Sequence, residues 1–315
     1  MIKSLTEFRE TYHRPLPELL FLAAQAHRQF HDPTDIQRCV LLSIKTGGCP
    51  EDCGYCAQSA RFKTGVEATP LMSVEQVREK AAKARELGAT RFCMGTAWRE
   101  VKDGPQFEQV LDMVRSVREL GMEACVTLGM LTDTQAKKLA EAGLTAYNHN
   151  LDTSREYYPK IVSTRTYDDR LRTLQSVQNA GISVCCGGII GMGESEDDRL
   201  QLLVELANLE KTPESVPINC LTPIAGTPLE AAEPVDSIEL VRLIATARIA
   251  FPKARVRLSA GRDRMSKELQ VLCFIAGANS IFFGDKLLTA PNPSAEGDAE
   301  LFRAMGLPEP CVSLT

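Results

Sequence analysis

The feature that most constrains this chain is an alternation of short β-rich runs with longer helical patterns, sustained through most of its 315 residues. Strand-like runs fall at 39–46, 90–95, 123–129, 145–150, 182–190, 215–221, 254–259 and 279–283. Helical periodicity follows each of them, over 73–87, 105–120, 133–142, 167–180, 196–209, 237–250, 264–276 and, more briefly, 298–305. Ser73 followed by Gln76 has the form of a capping box, and Gly88 is a natural helix stop. Eight strand–helix units in series predict an α/β fold, a (β/α)8 TIM-type barrel. An open doubly wound sheet permits the same alternation, but the count of eight favours closure. Residues 1–38 read as an N-terminal helical extension, with helix across 4–30. Residues 39–290 read as the barrel, and 291–315 as a C-terminal helix and tail.

In such a barrel the chemistry belongs at the C-terminal ends of the strands. Several partner classes drop out first. The net charge of −5 is spread without a long run of one sign, so no basic face for nucleic acid is expected. No apolar run approaches a membrane span, and the first ten residues carry no apolar leader or Arg-rich transit pattern. The expectation is a soluble, cytoplasmic protein.

Eleven cysteines are many for a protein of that compartment, where metal binding or catalysis explains them better than disulfides. Three fall in one loop after the first strand, Cys49-Pro50-Glu51-Asp52-Cys53-Gly54-Tyr55-Cys56. Thiolates so close together suit zinc or iron–sulfur. A structural zinc site wants four ligands, and no fourth Cys or His lies nearby. Three thiolates on a four-iron cluster would instead leave one iron open to a cofactor or substrate.

A second set emerges from strand parity, because successive side chains point to opposite faces. Arg91, Cys93 and Gly95 oppose Phe92 and Met94; Glu123, Cys125 and Thr127 oppose Ala124, Val126 and Leu128. Ser183, Cys185 and Gly187 oppose Ile182, Val184 and Cys186. The apolar faces should meet helices, so Cys93, Cys125 and Cys185 should point into the barrel and Cys186 outward. The same rule turns Arg255, Arg257 and Ser259 inward. Thiols and arginines are not the branched apolar filling of an ordinary barrel, and a second metal–sulfur centre is the natural reading. Chemistry alone makes Arg257 a counter-charge, since guanidinium is a donor-only cation. Asn148, Asn150 and Asp152 share one parity near the end of strand four, and Asn219 is set in strand six against Val216, Ile218 and Cys220. Such groups can hydrogen-bond a polar, urea-like or ribose-bearing ligand. His149 has the opposite parity and reads as structural.

C-x3-C-x2-C with an aromatic before the last cysteine resembles the radical S-adenosylmethionine superfamily. The segments CPEDCGYC, RFCMGTAW, EACVTLG, YNHNLDTS, GGIIGMGE, VPIN, VRLSAGR and AGANSIFFG together resemble the biotin synthase family within it, over nearly the whole chain. The resemblance implies a 4Fe–4S cluster on Cys49, Cys53 and Cys56, which binds S-adenosylmethionine and yields an adenosyl radical. It implies a 2Fe–2S cluster on Cys93, Cys125, Cys185 and, unusually, Arg257, as the donor of the sulfur inserted into dethiobiotin. It sets Tyr55, Gly95, Thr96, Asn150, Asp152, Arg170 and Ile189 against S-adenosylmethionine, and Asn148, Asn150 and Asn219 against dethiobiotin. A homodimer and an electron donor such as flavodoxin or ferredoxin are implied too. Cys39, Cys220, Cys273 and Cys311 receive no role. Another radical enzyme on the same barrel would keep the first three cysteines without the second set; a non-catalytic iron or zinc module is the alternative outside that class.

Overall fold

A computed structural model describes residues 2–307, so Cys311 lies outside the described residues. The N-terminal extension is two helices, α1 (Leu5–Tyr12) and α2 (Leu16–Arg28), where the sequence suggests helix across 4–30. Pro15 explains the break. It has no N–H for the helix ladder and pushes Arg14 out of helical conformation. Phe8, Tyr12, Leu19 and Ala23 are buried and anchor the pair onto the barrel.

His27, on the inner face of α2, is pushed down to about 3, chiefly by burial and then by the charge of Arg248. It stays neutral in the fold, whereas an unfolded chain protonates it below about 6.5. The unfolded state therefore binds more protons between those values, and stability is lost as pH falls through that window. Denaturation midpoints of the cluster-free chain should drop between pH 7 and pH 5. His27→Gln should flatten that slope; an unchanged slope would remove His27 as its source.

The barrel strands are β1 (Gln37–Lys45), β2 (Arg91–Thr96), β3 (Glu123–Thr127), β4 (Ala146–Asn148), β5 (Ser183–Cys185), β6 (Gly188–Ile190), β7 (Ser215–Cys220), β8 (Arg255–Leu258) and β9 (Ser280–Phe282). They run parallel in the order β5-β4-β3-β2-β1-β9-β8-β7-β6, and β5 also pairs β7, which closes the ring. The helices α3 (Val74–Glu86), α4 (Pro105–Glu119), α5 (Asp133–Glu141), α6 (Tyr167–Asn179), α7 (Glu196–Ala207), α8 (Ser237–Ala250) and α9 (Lys267–Ile275) follow the strands around it. The capping box is present: Gln76 N donates to Ser73 Oγ at 3.2 Å, and Ser73 N donates to Gln76 Oε1 at 2.9 Å. A short hairpin, β10 (Lys286–Leu287) and β11 (Ala290–Pro291), precedes the last helix α10 (Ala295–Ala304). Among the described residues no helix is long and apolar enough to cross a membrane.

The predicted strand 182–190 is one barrel position split into β5 and β6 around Cys186 and Gly187. Its neighbour carries Pro217, which has no N–H for the ladder. Gly187 lies so close to β7 that an added Cβ would sit 1.9 Å from the Pro217 carbonyl oxygen. Its own N–H donates instead to Asn150 Oδ1 at 3.1 Å, so the gap in the ladder holds a strand-four side chain in place. Gly187→Ala should cost about 3 kcal/mol or more, because the obstacle is backbone. Denaturant unfolding tests this, and a midpoint equal to that of the parent chain would refute the close approach.

The lumen is stacked in storeys. At the N-terminal end Arg91 is buried and pairs with Glu123 at 2.7 Å and Glu214 at 3.1 Å, forming a plug. Arg255 belongs to this end also. The parity rule sends it inward, but it reaches out to Asp35 at 2.7 Å, because the first residue of β8 lies at the rim. Above the plug are thiols and Arg257, and above them the cavity opens at the strands' C-terminal ends.

Candidate active site

The loop after β1 carries the first three cysteines and is held from two sides. It is tied to itself by Cys49 N donating to Gln58 O at 3.0 Å and Cys56 N to Cys53 O at 2.9 Å. It is tied to the segment after β4 by Gly54 N donating to Ile161 O at 2.9 Å and by Ser163 N donating to Asp52 Oδ1 at 2.9 Å. Cys49, Cys53 and Cys56 consequently face one cavity of about 320 Å³. Tyr55, Gly95, Thr96, Asn148, Asn150, Asp152, Arg170, Ile189 and Asn219 border that same cavity. His149 borders it too, so its parity does not remove it from the site, though it is buried with Nε2 unpartnered.

Asp152 is the hub of the wall. It takes a left-handed backbone conformation, φ 69°, which few non-glycine residues adopt without support. Ile189 N donates to its carbonyl at 2.8 Å. Tyr55 Oη donates to its carboxylate at 2.8 Å, and Arg170 forms a buried ion pair with it. Arg170 also donates to Tyr158 Oη at 2.8 Å and to the Asn150 carbonyl. Burial alone would lower the Arg170 guanidinium, but the charge of Asp152 together with Tyr158, Tyr55 and Cys53 more than offsets it and holds the cation. Burial pushes Cys56 up to about 12 and raises Cys49 and Cys53 as well, so metal must displace their protons.

Below the cavity, Cys93, Cys125 and Cys185 are buried, and Cys186 joins the main core on the outward face. Arg257 is fully buried, yet its partners are thiols, not a carboxylate. Nη1 donates to Cys185 Sγ at 3.5 Å, Nη2 to Cys39 Sγ at 3.3 Å, and Nε to Ser280 Oγ at 2.9 Å. Its guanidinium lies over the Phe282 ring at 4.9 Å. Asn148 joins the storeys: it borders the cavity and its Nδ2 lies 3.6 Å from Cys185 Sγ.

An iron–sulfur centre fits both places on chemistry. All ten cysteines among the described residues are free thiols. A buried cation without a carboxylate, ringed by thiols, is the environment an anionic thiolate cluster would balance. Among the described residues no three His, Cys, Asp or Glu side chains gather closely enough to grip a single metal ion. A multi-iron cluster makes no such demand, since its ligands bind separate irons.

Three elements escape the sequence reading. Arg165 places Nη2 3.7 Å from Cys53 Sγ, with its buried Nε in an ion pair with Glu51 at 3.9 Å. Cys39 lies among the lumen thiols. The β10–β11 hairpin brings Leu287 and Leu288 over the cavity, and Gly95 leaves room there, for a Cβ would stand 2.9 Å from Leu288 Cδ2.

Comparison with known proteins gives first the class. Residues 43–207 match the model of the Radical SAM superfamily, and residues 217–308 that of the Biotin and Thiamin Synthesis associated domain. Solved structures share the barrel: methylornithine synthase at TM-score 0.79 and 18% identity, covering 99% of this chain and 95% of that one, and the FeFe-hydrogenase maturase of Carboxydothermus hydrogenoformans at 0.80 and 17%, covering 98% and 76%. At those identities the likeness concerns the fold alone. Curated relatives are far nearer. The biotin synthase of Methylobacterium sp. (strain 4-46) is 62% identical over 98% of this chain and 94% of its own, and that of Gloeobacter violaceus (strain ATCC 29082 / PCC 7421) 59% over 98% and 96%. The chain belongs to the biotin synthase family. It is a radical S-adenosylmethionine sulfurtransferase, and the family implies iron–sulfur clusters.

Proposed function

We propose that this chain forms biotin from dethiobiotin at a two-storey site, with a 4Fe–4S cluster on Cys49, Cys53 and Cys56 and a 2Fe–2S cluster on Cys93, Cys125, Cys185 and Arg257. When bound, S-adenosylmethionine and the two clusters supply a radical able to take hydrogen from unactivated carbon and a sulfur atom to replace it. The protein's part is positioning. Arg170, fixed as a cation by Asp152, meets the methionyl carboxylate, while backbone at Gly95 and Thr96 meets its amine. Asn150, Asp152, Tyr55 and Ile189 border the adenosyl group. Asn148, Asn150 and Asn219 offer amide donors and acceptors to the ureido ring. Leu287 and Leu288 exclude water from the reacting carbons.

The observation that carries this reading is the stacking: a cavity bordered by three thiols lies directly above a buried thiol–guanidinium centre, and Asn148 touches both. One barrel, 39–290, would hold the whole site. The ten cysteines among the described residues are unpaired, which suits a reducing cytoplasm, and electrons would come from a flavodoxin or ferredoxin. A homodimer is proposed on the family resemblance.

The test is an anaerobic incubation with S-adenosylmethionine, reductant and dethiobiotin. Biotin and 5′-deoxyadenosine are expected together. Methionine and deoxyadenosine without biotin, with both clusters verified as loaded, would refute the product assignment.

A further inference from the structure

Cys39 has no part in the ligand set above, yet it shares the environment of that set. It is fully buried on β1 and packs with Cys93, Cys125, Ala146, Phe282 and Leu287 in a lumen cluster separate from the main core. Cys273 and Cys186, by contrast, sit in the main core among aliphatic neighbours. Cys39 Sγ receives Nη2 of Arg257 at 3.3 Å, while Nη1 of the same guanidinium reaches Cys185 Sγ at 3.5 Å. Cys39, Cys93 and Cys125 share that packed cluster, and Cys39 Sγ also donates to Gln37 Oε1 at 3.5 Å. The four thiols and the guanidinium thus form one connected group with no carboxylate in it.

Within that group the ligand chemistry is unequal. Guanidinium is a donor-only cation and must lose a proton before it can bind metal. A thiolate is the preferred soft ligand for iron–sulfur centres. We propose that Cys39 is a fourth lumen thiol available to iron, able to take the coordination position assigned to Arg257. The exchange balances without any redox step: Cys39 gives up one proton as its sulfur binds iron, and the neutral guanidine released from iron takes one up to become guanidinium. Arg257 then remains beside the cluster as hydrogen-bond donor and counter-charge. This rests on the reading that the lumen holds a cluster.

The experiment uses the full chain carrying Cys49→Ala, Cys53→Ala and Cys56→Ala, so that only the lumen can assemble a cluster. Parent, Arg257→Ala and Arg257→Ala/Cys39→Ser forms are reconstituted anaerobically with ferrous iron and sulfide. Iron, sulfide and visible absorption are measured, with resonance Raman for the ligand type. Arg257→Ala should keep its two irons, with a spectrum of wholly cysteinyl terminal ligation. Adding Cys39→Ser should lower iron affinity by at least about tenfold. Equal affinity in the single and double variants would overturn the role of Cys39. If the double variant does not fold, the single variant decides: an oxygen or nitrogen terminal ligand in Arg257→Ala would overturn the proposal. A parent that takes up no iron would instead refute the lumen cluster itself, a distinguishable failure.

Discussion

Replacing Cys53 by alanine is expected to abolish cleavage of S-adenosylmethionine and, with it, biotin formation. The expectation is local. Asp52 holds the loop to Ser163 and Thr164 through its side chain, and Gly54 holds it to Ile161 through its backbone. None of these contacts uses the Cys53 sulfur, so the fold should survive its removal. What is lost is one of the three ligands proposed for the first cluster, at a position with no spare thiol beside it in the loop. Two remaining thiols cannot keep an open-iron cluster assembled, and the cavity then has no radical source. Anaerobic iron analysis and the deoxyadenosine assay check it. Deoxyadenosine formed at the parent rate would remove the loop cysteines from the radical chemistry.

The second large effect is the opposite split. Cys185→Ala should end biotin formation while leaving the first cluster's spectrum and deoxyadenosine release in place. Cys185 lies at the lumen storey, on β5, and its sulfur meets the cavity-bordering Asn148. Its removal frees Nη1 of Arg257 and one lumen ligand without touching the loop. The loss in stability should stay near about 1 kcal/mol, since little volume goes. Loss of both cluster signals would show that the storeys are not independent, contrary to the stacking seen here.

Strand parity was informative where the two faces differ in chemistry. In β2 and β3 one face is apolar and the other carries Arg91 and Cys93 or Glu123 and Cys125, so period two alone orients the thiols. The same signal is present in β1, where Gln37, Cys39, Leu41, Ser43 and Lys45 alternate with apolar Val40, Leu42 and Ile44, so parity there also turns Cys39 inward. The barrel itself was legible because the alternation repeats eight times. The split at Gly187 was not, because it depends on Pro217, thirty residues away on a neighbouring strand. Arg165 and the hairpin over the cavity were hidden for a similar reason. Their positions follow from where loops meet in space, which local pattern does not encode.

The plug of Arg91, Glu123 and Glu214 makes the barrel a vessel with one mouth. On the proposed two-storey site, iron and sulfide for the lumen would enter through the cavity at the other end, the opening proposed for substrate and S-adenosylmethionine. Loading would then have an order, with the deep storey filled before the upper one is occupied. Repair of the deep storey would wait until product has left, so that supply and synthesis would alternate in time through a single doorway.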